Sequence, residues 1–261
     1  MKYRVGIIGF GFVGKAVAAS YDNFIRFDKE YIIDPNITDV SGTYENIQKT
    51  DAVYICVPSP QSPDGSCDTS IFLDVMRQLK EINYRGVIIS KVTAPPSTYT
   101  KLQEEFDNLV YIPEFLVAVT ATRDYLNTEH HIIGGKNPIY VSFAKQVLRS
   151  VFDVCRFTTC TIEEASTIKY AVNSFLATKV IWMNELKDLC DMNGADFEIV
   201  TKLMAVDNRI GKSHMKVPGP DGELGFGGAC FPKDTKALLH YAKENDIILS
   251  VLQQAVNKND T

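Results

Sequence analysis

A glycine-rich segment that leads into a cysteine carries the residue types of a nucleophilic site. Gly225, Gly227 and Gly228 precede Cys230, and Asp234 follows it by one helical turn. Glycine permits positive φ and lets a backbone lie close to a ligand. A proline two residues after Cys230 and an apolar helical pattern behind it predict that the cysteine lies at a helix N-terminus, where the helix dipole favours a thiolate. Such a thiolate is a nucleophile for an electrophilic substrate. The alternative is a structural cysteine beside a glycine turn.

A second candidate site lies in a helical pattern that runs from Ile162 to about Cys190. Within it, Lys169 and Asn173 are four residues apart, so they share one helix face. A lysine in a mostly apolar segment is costly to bury unless it has a partner or a task. The alternative is that the Lys169 side chain extends to solvent.

The N-terminal segment has the pattern of a dinucleotide-binding turn. A predicted strand over residues 4–10 leads into a turn that opens a helix, and the turn comprises Gly9, Phe10, Gly11, Phe12, Val13 and Gly14. The first glycine makes the turn, the second lets the backbone approach a pyrophosphate, and the third lets the helix pack on the strand. Asp34 ends the next short strand and can accept hydrogen bonds from ribose hydroxyls. Its charge would repel a 2′-phosphate, so the sequence predicts NAD rather than NADP.

Strands and helices alternate along the first part of the chain, which predicts an α/β fold with a doubly wound parallel Rossmann sheet. Strands are predicted over residues 4–10, 31–33, 52–57, 87–90, 109–112, 131–133 and 154–158. Thr93 and Glu114 follow two strand ends, where ligands of such sheets bind, so both are expected to face the cofactor. Glu114 could equally be a solvated loop carboxylate. We expect an NAD-binding domain over residues 1–158 and an all-helical central domain over residues 159–261.

The composition argues against several classes of protein. The 261 residues carry a net charge of −5 without a basic run, so a nucleic-acid partner is not expected. A strand pattern begins at once, leaving no room for a signal peptide, and no apolar run is long enough to span a membrane. Six scattered cysteines without a Cys-x-x-Cys pair, and only four histidines, argue against a zinc site and a disulfide framework and for a reducing cytoplasm, so no metal site is expected. His214 has no second metal ligand nearby in the sequence and is interpreted as a loop residue.

Taken together, these segments resemble the nucleotide-sugar dehydrogenases, the family of the UDP-glucose and GDP-mannose 6-dehydrogenases. Residues 225–234 resemble the family's cysteine motif, and residues 164–173 resemble its central-helix Lys and Asn motif. Residues 113–116 resemble its Pro-Glu-Phe-Leu motif, residues 91–96 its Lys-Ser-Thr-Val-Pro loop, and residues 57–70 a loop near the cofactor. The resemblance covers nearly the whole chain.

The resemblance implies a four-electron oxidation of a sugar CH₂OH to a carboxylate by two NAD, with UDP-glucose as the expected substrate and polysaccharide biosynthesis as the setting. Cys230 would add to the intermediate aldehyde to give a thiohemiacetal, which is oxidised to a thioester and hydrolysed. The other implied roles are oxyanion stabilisation by Lys169 and Asn173, handling of water and protons by Glu114 and Thr93, and retention of that water or of Lys169 by Asp234.

The resemblance also implies the binding residues and a homodimer through the central helices. NAD contacts are expected from Gly9, Phe10, Gly11, Phe12, Val13, Gly14, Asp34, Pro58, Ser59 and Thr93. Nucleotide-sugar contacts are expected from Phe115, Leu116, Lys169, Asn173, Arg209, Lys216, Phe226, Gly227 and Gly228.

The sequence also departs from the family pattern. Val117-Ala118 stands where Arg-Glu is frequent, Ser97 stands where glycine is usual, and the family's C-terminal nucleotide-binding domain is expected to be missing. Two alternatives therefore remain. One is a one-step hydroxyacid dehydrogenase of the 6-phosphogluconate type, which needs no nucleophilic cysteine. The other is a non-catalytic module that binds sugar nucleotides.

Overall fold

A computed structural model describes residues 3–22 and 29–261, without the side chain of residue 22. The chain divides into two compact units. The sheet unit extends to Pro60 and resumes over Cys67–Lys169, whereas the helical unit contains Gln61–Ser66 and Tyr170–Thr261. We keep the domain boundary after residue 158 as a prediction about independent folding.

Among the described residues of the sheet unit, seven strands form one sheet in the order β2-β1-β3-β4-β5-β6-β7. The strands are β1 (Val5–Ile8), β2 (Ile32–Ile33), β3 (Ala52–Ile55), β4 (Val87–Ser90), β5 (Leu109–Tyr111), β6 (His130–Gly134) and β7 (Arg156–Cys160). Every predicted strand is confirmed, although several ends differ. The last strand, for example, begins at Arg156 rather than at Val154.

One strand pair departs from the predicted parallel sheet. Neighbouring strands are parallel except β5 and β6, which pair antiparallel at Tyr111 and Gly134. A parallel pair needs a crossover that returns the chain to the opposite edge of the sheet. The connection after β5 holds a 3₁₀ turn, Ala118–Thr120, and a six-residue helix, Ala121–Leu126. This connection stays at the carboxyl edge of β5, so β6 begins on that side of the sheet and runs antiparallel to β5.

Helices flank both faces of the sheet. They are α1 (Phe12–Asp22), α2 (Tyr44–Ile47), α3 (Ser70–Glu81), α4 (Pro96–Glu105), α5 (Ala121–Leu126) and α6 (Pro138–Arg149), with a further 3₁₀ turn at Lys29–Tyr31. Ile7 and Tyr54 pack in a core with α1, α5 and α6, whereas their neighbours Ile8 and Ile55 pack in a second core with α2, α3 and α4. Both faces of the sheet are therefore buried at β1, β3, β4 and β5, which explains why these strands are almost continuous apolar runs.

The regular elements of the helical unit are helices. They are the part of α7 (Ile162–Asn193) that follows Lys169, then α8 (Phe197–Met204), α9 (Phe231–Glu244) and α10 (Ser250–Asn259). One apolar cluster joins α7, α9 and α10 around Ile181 and Leu252, and another joins α7 and α8 around Met183 and Phe197. The sequence therefore correctly predicts a helical second part.

Two helix ends differ from the prediction for identifiable reasons. α7 continues past Cys190 to Asn193, where Gly194 adopts φ +74° and the Ala195 amide donates to the Cys190 carbonyl at 2.9 Å. This is the glycine-terminated helix end that satisfies otherwise unpaired carbonyls. The apolar pattern over residues 248–256 predicts a last helix that ends at Val256, whereas α10 extends to Asn259, whose side chain accepts a hydrogen bond from the Phe226 amide.

The turn between β1 and α1 uses its glycines for close approach. A Cβ atom on Gly14 would lie 2.1 Å from the Gly9 carbonyl oxygen, and one on Gly9, at φ +93°, would lie 2.7 Å from the Cys56 carbonyl carbon. A Cβ atom on Gly11 would meet no atom within 4 Å. Gly14 and Gly9 are therefore needed for packing, whereas Gly11 leaves open space.

This contrast predicts different effects of alanine at two glycines. Gly14→Ala should lower the free energy of unfolding by about 3 kcal/mol, because the clash is with backbone and outweighs the better helix propensity of alanine. Gly11→Ala, the matched control, should change stability by less than about 0.5 kcal/mol. Denaturant unfolding followed by circular dichroism measures both. Equal stability of the two variants would contradict this account of the turn.

Candidate active site

A cleft lies at the carboxyl ends of β1 and β2 in the sheet unit. Its volume is about 440 Å³, and Gly9, Asp34 and Pro58 of the predicted NAD contacts line it. Ile32 and Ile33 add apolar walls. The cleft therefore has the position and lining expected for the adenosine part of a dinucleotide.

Asp34 connects the end of β2 to the glycine turn. One carboxylate oxygen accepts from the Phe10 amide at 2.7 Å, and the other accepts from the Asn36 amide at 2.9 Å. A carboxylate offers about four lone-pair positions, so acceptor capacity remains for ribose hydroxyls. These contacts orient the Asp34 carboxylate.

The rest of the turn faces open space. Gly11 has no atom near its missing side chain, Phe12 is partly exposed, and Phe12 and Val13 are the first two residues of α1. The amide groups at a helix N-terminus, together with the helix dipole, favour a phosphate group. This arrangement is the one that the predicted pyrophosphate contact requires.

The loop after β4 is fixed by side chains from the preceding loop. The Thr93 carbonyl accepts a hydrogen bond from the Ser59 hydroxyl at 2.6 Å and one from the Cys67 thiol at 3.4 Å. Thr93 and Ser59 are both buried. The structure thus brings together two of the predicted NAD-contact residues.

Glu114 and Lys169 form a buried ion pair. The Lys169 amine lies 3.1 Å from a Glu114 carboxylate oxygen and also donates to the Glu114 main-chain carbonyl. The second carboxylate oxygen accepts from the Leu116 amide at 2.7 Å, and the amine lies 5.2 Å from the centre of the Phe115 ring. Both side chains are at least nine-tenths buried. Neither the solvated carboxylate nor the solvent-directed lysine left open by the sequence is therefore correct.

Asn173 pairs with Asp234 in the helical unit. The Asn173 amide donates to one oxygen of the Asp234 carboxylate at 2.6 Å, and the Lys233 amine lies 2.5 Å from the other. Asp234 and Asn173 are buried. The hydrogen bonds described for the Lys169 amine, by contrast, go to Glu114. Lys233 is a partner that the sequence pattern did not single out.

Cys230 lies at the N-cap position of α9, which confirms the predicted helix start. Pro232 is in the first turn of that helix, and the Asp234 amide donates to the Cys230 carbonyl at 2.9 Å. The cysteine is partly buried. Its thiol is thus placed where the dipole of a fourteen-residue helix favours a negative charge.

Two asparagines that the sequence analysis missed hold the glycine-rich loop before Cys230. Asn184 of α7 accepts from the Gly225 amide at 3.1 Å, and Asn259 of α10 accepts from the Phe226 amide at 2.6 Å. Gly225 adopts φ +76°, and a Cβ atom there would lie 2.5 Å from the Asn259 side-chain oxygen. Gly228 also adopts positive φ, whereas Gly227 does not. The glycines therefore serve loop closure as well as ligand approach.

The remaining predicted substrate contacts differ in exposure. Arg209 is exposed and forms an ion pair with Asp207 at 2.6 Å, and Lys216 is also exposed. The Phe226 side chain is buried in the cluster around Ile181, so it presents only backbone to a ligand. Their substrate contacts stay predictions.

Across residues 3–22 and 29–261, no group of three or more His, Cys, Asp or Glu side chains is arranged to hold a metal ion. The exposed His214 ring lies 5.4 Å from that of Phe231. None of the helices in the described ranges has the length and apolar character needed to cross a membrane.

Comparisons with known proteins agree with the two-part organisation. Residues 34–154 match the model of the NAD-binding domain, and residues 163–261 match that of the central domain, of the UDP-glucose/GDP-mannose dehydrogenase family. The chain is 30% identical to a UDP-glucose 6-dehydrogenase of Rickettsia felis, over 87% of this chain and 52% of that protein. It is 31% identical to the UDP-glucose 6-dehydrogenase TuaD of Bacillus subtilis, over 88% of this chain and 51% of that protein.

A solved UDP-glucose dehydrogenase from Pyrobaculum islandicum has the same fold, with a TM-score of 0.82 and 24% identity over 100% of this chain and 68% of the other. The chain spans about half the length of the curated relatives named above. These matches support NAD as the cofactor of the cleft at β1 and β2.

The contacts of Asp34 predict how its substitution changes NAD binding. Asp34→Ala should weaken NAD binding about 10-fold or more, because it removes a charged acceptor and releases the Phe10 amide. Asp34→Asn keeps one acceptor oxygen and removes the charge, so it should retain more NAD affinity and exclude NADP less strongly.

Fluorescence titration with NADH and NADPH measures these affinities. Asp39→Ala is the matched control, because Asp39 is an exposed carboxylate that pairs with Lys29. An unchanged dissociation constant for NADH in Asp34→Ala would show that Asp34 does not contact the ribose.

Proposed function

Because this chain belongs to the UDP-glucose/GDP-mannose dehydrogenase family, we propose that it catalyses the four-electron, NAD-dependent oxidation of a sugar CH₂OH to a carboxylate. UDP-glucose is the substrate we propose. The observation that carries the proposal is Cys230, a partly buried thiol at the N-terminus of α9 behind a loop held by two asparagines. A reaction that ends at the aldehyde or ketone has no need of such a thiol.

The first oxidation transfers a hydride from the alcohol carbon to NAD and releases the hydroxyl proton. Glu114 is the carboxylate that we propose takes up this proton, directly or through water. Its buried ion pair with Lys169 and its bond from the Leu116 amide support this role, because they fix the carboxylate in one orientation. Thr93, held through its carbonyl by Ser59, would help to position the water.

The second oxidation needs a tetrahedral carbon that bears an oxygen and a hydrogen. Cys230 would supply it by adding to the aldehyde, with the former aldehyde oxygen becoming the oxyanion of a thiohemiacetal. Loss of a second hydride to NAD gives a thioester, and water releases the acid and the thiol. Lys169 and Asn173, one helical turn apart on α7, are the donors that we propose for the oxyanion.

A one-step hydroxyacid dehydrogenase and a non-catalytic binding module are the two alternatives. The number of NADH formed per sugar separates the three: two for the proposed reaction, one for the one-step enzyme and none for the module.

The proposal predicts a specific defect for Cys230→Ser. This variant should bind NAD normally but lower the rate of acid formation by at least about 1,000-fold, because a serine hydroxyl at this position is a far weaker nucleophile than a thiolate. Cys155→Ser is the matched control, since burial raises the pKa of the Cys155 thiol and its bond goes to the adjacent Arg156 carbonyl.

NADH absorbance and chromatographic detection of the sugar acid measure both variants. Full acid formation by Cys230→Ser would exclude the thioester mechanism.

We further propose a cytoplasmic homodimer that forms through α7. Phe175, Trp182 and Leu189 recur at intervals of seven residues on this helix, and each exposes half or more of its surface. Apolar residues at that spacing form the seam between packed helices. An exposed apolar stripe of this size is unusual for a monomer and supports burial against a second copy.

Trp182→Glu should convert the dimer to a monomer, because it places a charge in the middle of the stripe. Ile139→Glu is the matched control, at an apolar residue of α6 that is even more exposed than Trp182. Sedimentation velocity measures the change in mass. A monomeric wild-type chain, or a dimeric Trp182→Glu variant, would contradict the proposed interface.

A further inference from the structure

Lys91 is a buried amine for which the described residues provide no hydrogen-bond partner. It follows the last residue of β4 and exposes 4% of its surface, and its amine makes no hydrogen bond to any atom of residues 3–22 or 29–261. The amine lies 5.2 Å from the centre of the Tyr125 ring, which offers only a weak interaction with a cation. Because an unpaired buried ammonium is costly, a lysine here calls for a functional explanation.

Ionisable side chains from five elements surround Lys91. They are Cys56 after β3, Glu114 after β5, Tyr125 of α5, His131 of β6 and Lys169 of α7. Burial lowers the pKa of Lys91 to about 8, the Glu114 charge opposes this shift, and the Lys169 charge adds to it. Lys91 can therefore exchange a proton near neutral pH.

A pocket of about 80 Å³ connects this amine to the surface of the sheet unit. Lys91, Glu114 and His131 line its buried end, and Thr128 and His130 line its outer end. Burial lowers the pKa of His131 to about 3, so its ring is neutral, and its Nε2 atom also makes no hydrogen bond to the part of the chain that the structure describes. A buried water needs roughly 10–15 Å³ and two or more polar partners, so the pocket has room and partners for several waters.

We propose that Lys91 is a proton-transfer residue, which receives the proton taken up by Glu114 and passes it to water in the pocket that opens at Thr128 and His130. The proposal rests on the proposed function, in which Glu114 accepts a proton. The Glu114 carboxyl O–H bond breaks and an N–H bond forms on the neutral amine of Lys91, directly or through one pocket water. The resulting ammonium then releases a proton to water, and no electrons change hands.

The first test does not depend on activity. Lys91→Met removes the charge and keeps the length of the side chain, so it should raise the melting temperature at pH 7, where wild type buries an unpaired ammonium. The folded-state pKa of about 8 lies below the ordinary value of 10.5, so wild type gains stability as pH rises between these values. The advantage of the variant in melting temperature should therefore shrink over that range.

Lys101→Met, at an exposed lysine of α4, is the control. A lower melting temperature for Lys91→Met at pH 7 would mean that Lys91 is a paired structural residue, which would overturn the proposal.

The second test measures the reaction. With UDP-glucose and NAD, Lys91→Met should lower kcat by about 10-fold or more and delay proton release, observed with a pH indicator in stopped flow, while KM for NAD stays unchanged. Lys91→Ala should regain activity with small primary amines, to an extent that follows the pKa of the amine. A purely structural role would not produce that dependence.

The outcomes separate the two proposals. Wild type that forms no NADH with any nucleotide sugar would refute the proposed function, and the proton-transfer role with it. Normal wild-type turnover with an unchanged kcat in Lys91→Met, or with no rescue of Lys91→Ala by amines, would overturn the role of Lys91 alone.

Discussion

The buried ion pair between Glu114 and Lys169 is the constraint on which the candidate site depends. It joins the end of β5 to α7 across 55 residues of sequence, and three hydrogen bonds fix both charged groups. Removing one partner of such a pair typically costs about 3–5 kcal/mol, because the other charge remains buried. Within the helical unit, the Asn173 amide holds the Asp234 carboxylate in the first turn of α9, the helix that begins after Cys230.

Charged side chains are buried around this pair to an extent that is unusual for a protein core. Lys91, Glu114 and Lys169 are all nearly inaccessible to solvent. Apolar residues of similar volume would often be more stable. Natural proteins accept such losses mainly where chemistry requires them. At the carboxyl edge of this sheet, the buried charged residues that suit the proposed chemistry are therefore not the residues that would make the fold most stable.

Local features were predictable from the sequence. Continuous apolar runs identified the central strands because both faces of the sheet are covered there. Gly9 and Gly14 identified a turn because a side chain would clash with nearby backbone there, and Pro232 identified a helix start because its ring fixes φ at a helical value. The antiparallel β6 was not predictable in this way, since strand direction depends on where the connection leads rather than on the strand's residues. Hydrogen bonds between residues that are distant in the sequence could not be predicted either. Nothing near Asn184 or Asn259 in the sequence indicates that they hold the glycine-rich loop, and nothing near Lys91 indicates that it lacks a partner.

The bond from the Phe226 amide to Asn259 has a dynamic consequence. Asn259 is the last residue of α10, and terminal helical turns open locally far more often than the rest of a fold. Each such opening removes the acceptor from the Phe226 amide and the atom that confines Gly225. The segment before Cys230 therefore keeps this hydrogen bond only while the last turn of α10 stays folded. Alkylation of the thiol and amide hydrogen exchange in α10 should therefore report the same opening event.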